Sequence, residues 1–268
     1  MKKPATQGIP LKQLVAAIER IAPPELAEPW DRTGLLIAPA RPRPVRRILL
    51  TIDCTPPVAR EAVERGSDLV LAYHPPLFTP VQRLTPADPA GQRLLRLLES
   101  QIAVYAPHTA LDRAPGGLQD WLSDGVAGDD PATILPLPQG AGCMIEFDRK
   151  VAFNSLARRI RRFLKIPYLR IAHARQPAPA VRRVALCAGA GAAALEPLEA
   201  DVWFTGEMKH HDLLAANARG IHVILAEHTH TERGYLPILK RRLRQEIGQD
   251  LPIDIARADR DPVRLFQG

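Results

Sequence analysis

Apolar positions along this chain follow two periods, and the periods alternate. Residues 11–22 (LKQLVAAIERIA) carry apolar side chains at helical spacing, and Pro23-Pro24 ends the run. Residues 46–53 (RRILLTID) read as a buried strand. Residues 56–66 (PPVAREAVERG) read as the helix after it, with proline at its start and Gly66 at its end. A strand is expected over 68–74 (DLVLAYH), a helix over 90–101 (AGQRLLRLLESQ) and a strand over 102–108 (IAVYAPH). This β-α-β-α-β succession predicts an α/β fold.

Residues 129–145 are rich in Pro, Gly and Asp and read as a connection. A second succession follows. It has a helix over 155–165, a strand over 182–189 that runs into AGAGAAA, and a strand over 202–207. A helix from HHDLLAANARG and a strand over 221–228 complete it, before a further helix over 235–244. The expected organisation is a first α/β unit over 1–128, completed by 229–268, and a second over 129–228. No fixed-period repeat is visible.

Polar residues recur just past the carboxyl ends of the apolar strands. They are Asp53, His74, His108 with Asp112, Glu207 with His210 and His211, and His228 with Glu232. Ligands of α/β folds bind outside the carboxyl ends of strands, where loops converge. Each group also has a plain structural reading. His74 either caps a strand in a proline turn or is a ligand held at a set angle by Pro75-Pro76. Asp112 either binds a metal or caps the turn over 113–117. His210 and His211 are adjacent and cannot point the same way on a helix, so one can face a site while the other is structural. Thr229 and Glu232 have capping-box spacing, with His230 expected to face solvent. Equally, His228 and Glu232 present an imidazole and a carboxylate within one turn, as metal sites do. Together, two His and two carboxylates at strand ends fit a dinuclear site.

Composition narrows the classes. With 268 residues and 46% apolar content the chain can bury a substantial core. No apolar run approaches the ~20 residues of a membrane span. The start MKKPATQGIPLKQL lacks the apolar segment of a signal peptide, so a cytoplasmic protein is expected. The three cysteines are far apart, form no CxxC and read as buried thiols, which leaves His and carboxylate as metal ligands. The net charge of +7 admits nucleic acid as a partner. Two of the Arg clusters, residues 149–165 and 240–244, read as faces of amphipathic helices, and aromatic stacking residues are few. There is no GxSxG elbow, P-loop or GxGxxG.

The segments WDRTGLLI (30–37), LTIDCTPPVAREA (50–62), YHPPLF (73–78), YAPHTALDRAPGGLQDWL (105–122), TGEMKHHD (205–212) and AEHTHTERGYLP (226–237) occur in an ordered series. In this series the chain resembles the dinuclear-metal-centre family of GTP cyclohydrolase 1 type 2 homologues, also called the NGG-one-interacting-factor family. The resemblance implies two interlinked α/β units of mixed sheets flanked by helices, with the metal site in the cleft between them. It also implies a homohexamer. The implied ligands are His74, Asp112, His228 and Glu232, for divalent ions numbering two per chain: zinc, iron, manganese, cobalt or nickel. Many members have a second His immediately before the one matching His74, where this chain has Tyr73. Either Tyr73 ligates weakly, or a water replaces it, or one metal binds well. The longer members carry an inserted domain for which this chain has no room.

The chemistry implied is hydrolysis of a nucleotide or phosphate ester. His108, His210 or His211 would move a proton, and Lys209 and Arg233 would hold a phosphate. The competing expectation is a non-catalytic metal-binding scaffold or regulatory protein with a protein or nucleic-acid partner.

Overall fold

The computed structural model describes residues 8–41, 43–137, 142–248, 250–263 and 266. The signal-peptide reading rests partly on residues 1–7, which lie outside these, as do 138–141 of the expected connection. In chain order the elements begin with α1 (Leu11–Ile21), β1 (Gly34–Ile37), β2 (Ile48–Thr51), α2 (Pro56–Glu64) and β3 (Leu69–Ala72). Then come α3 (Pro89–Glu99), β4 (Ala103–Ala106), α4 (His108–Arg113) and α5 (Leu118–Ala127). The middle of the chain forms β5 (Ala132–Pro136), β6 (Cys143–Ala152), α6 (Phe153–Leu164), β7 (Arg170–Ala172) and β8 (Ala180–Leu186). It continues with α7 (Ala192–Leu195), β9 (Val202–Thr205), α8 (His210–Ala218), β10 (His222–Leu225) and α9 (His230–Arg233). Finally α10 (Leu236–Ile247) and β11 (Ile253–Ile255) close the chain. The result is an α/β fold with two mixed sheets flanked by helices.

The chain divides into two compact units, residues 1–114 with 235–262, and residues 115–234 with 263–268. The first holds a five-stranded sheet in the order β1-β4-β3-β2-β11. Strands β4, β3, β2 and β11 are parallel, and β1 is an antiparallel edge. Strands β2, β3 and β4 are buried at every position, which is why they read as unbroken apolar runs. One core joins Leu49, Val70 and Val104 of the sheet to Val58 and Ala62 of α2 and Leu94 and Leu97 of α3. Each of these leucines and valines contributes about 1.5–3 kcal/mol by leaving water. Thr55 caps α2 by accepting from the Val58 amide, and Asp88 caps α3 by accepting from the Gly91 amide. The C-terminal α10 packs on α1, and β11 extends the sheet beside β2.

The second unit holds a six-stranded sheet in the order β5-β6-β8-β9-β10-β7, in which β8, β9 and β10 are parallel. Its core packs Leu122 and Val126 of α5, and Leu156 and Ile160 of α6, against Ile145, Val184 and Phe204. A second core joins Trp203 and Val223 to Leu195 and Ala216 of α7 and α8. Three local expectations change. The connection over 129–145 contains β5 and the start of β6, paired as an antiparallel hairpin. The basic stretch over 149–165 is helical only from Phe153, because residues up to Ala152 finish β6. Helix α5, placed in the first unit on sequence grounds, packs in the second: Gly125 has no side chain, and Phe163 of α6 occupies the space a Cβ would need. The rings of Trp121 and Phe163 lie 4.9 Å apart across the same contact.

Candidate metal centre

In the first unit three neighbouring parallel strands, β2, β3 and β4, deliver the candidate groups past their carboxyl ends. The ladder continues beyond β3, since the amides of Tyr73 and His74 donate to the carbonyls of Thr51 and Ile52 at 2.9 and 3.0 Å. His74 is thereby fixed before Pro75-Pro76, and its Nδ1 meets Asp53 Oδ1 at 2.9 Å. Donation from Nδ1 to a carboxylate places the imidazole lone pair on Nε2, the form that binds metals. After β4 the chain turns at His108, whose φ of 35° is uncommon for a residue with a side chain. His108 Nδ1 lies 2.7 Å from Asp31 Oδ1. Asp31 also accepts from the amide and hydroxyl of Thr109. Burial pushes the Asp31 carboxyl up. The hydrogen bonds from His108 and Thr109, the His108 charge and the Arg32 amide outweigh it and hold the group down at about 2. Four residues on, Asp112 Oδ1 accepts from the Tyr73 hydroxyl at 2.6 Å. The ring of Tyr73 lies 4.9 Å from that of His74 and 5.4 Å from that of His108.

In the second unit the same device operates on β8, β9 and β10. Glu207 follows β9, and its Oε1 lies 2.8 Å from His228 Nδ1. His228 Nε2 lies 3.2 Å from Oε1 of Glu232, a carboxylate only 2% exposed. The two form a candidate metal-binding pair. Glu227, just before His228, has a φ of 64° and is gripped by both arms of Arg170 at 2.7 and 3.0 Å. Such a charged fork holds a strained backbone in place. Past β8, Gly189 has a φ of 63°, its amide donates to Thr231 Oγ1, and its carbonyl accepts from the amides of Gly206 and Glu207. A Cβ on Gly189 would stand 3.0 Å from both Glu232 Oε1 and His228 Nε2. The glycine leaves open the space beside the two donor atoms. An imidazole with its Nδ1 held, a buried carboxylate and a cleared space fit a divalent ion.

The remaining expected residues lie in the second unit, close in sequence to Glu207 and Glu232. His210 and His211 are exposed at the start of α8, with rings 5.4 Å apart. Lys209, also exposed, precedes them and lines a second-unit cavity of about 850 Å³ together with Trp203 and Glu207. Arg233 donates from Nη2 to Thr229 Oγ1 at 3.1 Å. The capping box does not form: α9 is a single turn, and the Thr229 side chain caps nothing. His230 is half-buried rather than solvent-facing, with Nδ1 on the Ala226 carbonyl at 2.8 Å. Asp31 and Gly189 are the additions to the sequence-based set of groups that build or orient the site, and Tyr73, expected as a weak ligand, holds Asp112 by a hydrogen bond. Asp31 lies within WDRTG, but its partner stands 77 positions away. Cys54 and Cys143 are buried and pushed up by that burial to about 12, and Cys187 is buried too. No described helix is long and apolar enough to cross a membrane.

Residues 9–262 match the family described as Duf34/NIF3 (NGG1p interacting factor 3). The chain belongs to the Duf34/NIF3 family. Among its relatives, the Protein NIF3 homolog of Schizosaccharomyces pombe is 36% identical over 267 residues, covering 94% of this chain and 96% of that protein. NIF3-like protein 1 of Drosophila melanogaster is 35% identical over 263 residues, covering 96% and 89%. The solved structure of reduced HcgD from Methanocaldococcus jannaschii superposes with a TM-score of 0.83 at 24% identity, covering 93% of this chain and 98% of that one. Hypothetical protein SA1388 of Staphylococcus aureus superposes with a TM-score of 0.80 at 22% identity, covering 97% and 100%. At these identities the two structures speak for the NIF3 fold alone.

Proposed function

We propose that this chain binds two divalent ions and hydrolyses a nucleotide or another phosphate ester, with His74, Asp112, His228 and Glu232 as the metal ligands. The observation that carries the reading is the second-unit arrangement. There His228 is held at Nδ1 by Glu207 and meets buried Glu232 at Nε2, and Gly189 leaves the adjoining space open. A divalent ion at such donors supplies Lewis acidity and water activation. The chain's own residues do the rest. Asp53 and Glu207 hold His74 and His228 by their Nδ1 atoms, and Tyr73 holds Asp112. His108, held at Nδ1 by Asp31, exchanges a proton through Nε2. His210 and His211, exposed on α8, have no part in this reading. Assembly into a hexamer belongs to it, and sedimentation velocity of the purified chain tests that element.

The test is turnover of a panel of nucleotides and phosphate esters, read as released phosphate or formate, by chelator-stripped protein with and without added zinc, manganese or iron. Turnover that requires metal and falls about 100-fold in His108→Gln is expected. Stoichiometric metal without turnover of any member of the panel would overturn the hydrolase reading. It would favour the scaffold one, for which the name of the 34% identical Saccharomyces cerevisiae relative, NGG1-interacting factor 3, is the supporting observation.

A further inference from the structure

A cavity of about 300 Å³ opens in the first unit beside His74. Its wall includes Asp53, Thr55 and Pro76, and two arginines from distant parts of the chain, Arg93 on α3 and Arg260 after β11. Here Arg93 spends one arm on the Pro76 carbonyl, with Nη2 donating at 2.8 Å, which fixes the guanidinium against the proline turn after His74. Its Nε is buried and meets no acceptor among the described residues. Arg260 is exposed and donates only a long bond, from Nε to the Arg257 carbonyl at 3.4 Å. Among the described residues, neither guanidinium lies within ion-pair distance of a carboxylate. The one carboxylate in the wall, Asp53, is engaged by His74 Nδ1.

Two arginines that form no ion pair outnumber the single Asp53 carboxylate around this small concave space, and the excess positive charge favours an oxyanion. The planar guanidinium fork matches a phosphate in two-point hydrogen bonding, which a lysine ammonium does not do. The volume of about 300 Å³ accommodates a phosphoryl group with part of the ester that carries it. We infer that the Arg93–Arg260 cavity is an anion site that seats the phosphoryl group of a phosphate ester next to His74. The assignment of that anion as substrate rests on the hydrolase reading, whereas its binding needs no metal. On this inference Arg93 and Arg260 hold the phosphate, and Lys209 and Arg233 do not.

The experiment is titration of inorganic phosphate into chelator-treated, metal-free protein, followed by calorimetry and by ³¹P line width. Saturable one-to-one binding is expected in the parent. Arg260→Ala and Arg93→Lys should each weaken it by about 10-fold or more, the loss that goes with one charge-assisted contact. Arg260 is exposed, so its variant should keep the parent melting temperature and answers the question even if Arg93→Lys folds poorly. Lys209→Ala should bind phosphate as the parent does. His228→Ala should lose metal and keep phosphate binding, which separates failure of the metal reading from failure of this one. No saturable binding by the metal-free parent, parent-like affinity in Arg260→Ala, or weakened binding in Lys209→Ala alone would overturn the inference.

Discussion

The two units use the same device with different reach. In each, three adjacent parallel strands end in short turns that present a histidine whose Nδ1 is held by a carboxylate, His74 by Asp53 and His228 by Glu207. In the second unit the companion carboxylate is local: Glu232 stands one helical turn after His228, and the histidine touches it directly. In the first unit the companion is remote. Asp112 comes from a different strand end and is held by a tyrosine 39 positions away. The local pair is rigid because the backbone around it is over-determined, by Gly189, Thr231 and the Arg170–Glu227 fork. In the first unit the strand ladder fixes His74 and one Tyr73 hydrogen bond holds Asp112, so adding a side chain in the packed second-unit half should do more damage than removing that single bond in the first.

Gly189→Ala is expected to have the largest effect. It forces an alanine into a left-handed conformation and puts a methyl 3.0 Å from both donor atoms, at a cost of about 2 kcal/mol and at least ~10-fold in metal affinity. Gly66→Ala in the first unit sharpens the contrast. Its φ is also +63° but nothing lies within 4 Å, so the strain of ~1 kcal/mol should appear in the melting curve and metal uptake should not change. Next comes acid. Asp31 is held at about 2, below its ordinary 3.8, so its contribution is present above pH 4 and lost as pH falls through 2. That contribution is about 2 kcal/mol, and urea melts of the parent and Asp31→Asn should converge in that window. Tyr73→Phe removes one hydrogen bond to Asp112 and should cost about 1 kcal/mol in stability, with metal content retained at the second unit's ligands. The smallest effect belongs to His210→Ala and His211→Ala. Both are exposed, and calorimetry should place each within about 0.5 kcal/mol of the parent with unaltered metal uptake.

The same contrast explains what the sequence disclosed. Strands β2, β3, β9 and β10 are four-residue runs buried throughout, so their apolar letters announce them. Strands β1, β7 and β5 sit at sheet edges with half-exposed patterns, and Leu135 in β5 is 53% exposed, so no alternation marks them. Strand β11 pairs with β2 across some 200 positions, a partnership that local pattern cannot carry. In the site, the spacing of His228 and Glu232 was legible because it is local. The placement of His108 against Asp31, and the space kept open by Gly189, depend on tertiary contacts. The capping-box spacing of Thr229 and Glu232 misled because Thr229 has a helical backbone (φ −73°, ψ −14°) rather than the extended one of a capping residue, and its side chain caps no amide of α9.

The most direct test of the account is elemental analysis of metal per chain, on protein purified without chelator, for the parent and for Glu232→Gln. Glu232→Gln keeps the size of a side chain that is 2% exposed and removes its charge. The account predicts about two divalent ions per chain in the parent and a loss of at least one in the variant. One ion in the parent would assign the shortfall to Tyr73. A parent without metal, or a variant that retains the parent's full complement, would contradict the claim that Glu232 and His228 are metal ligands.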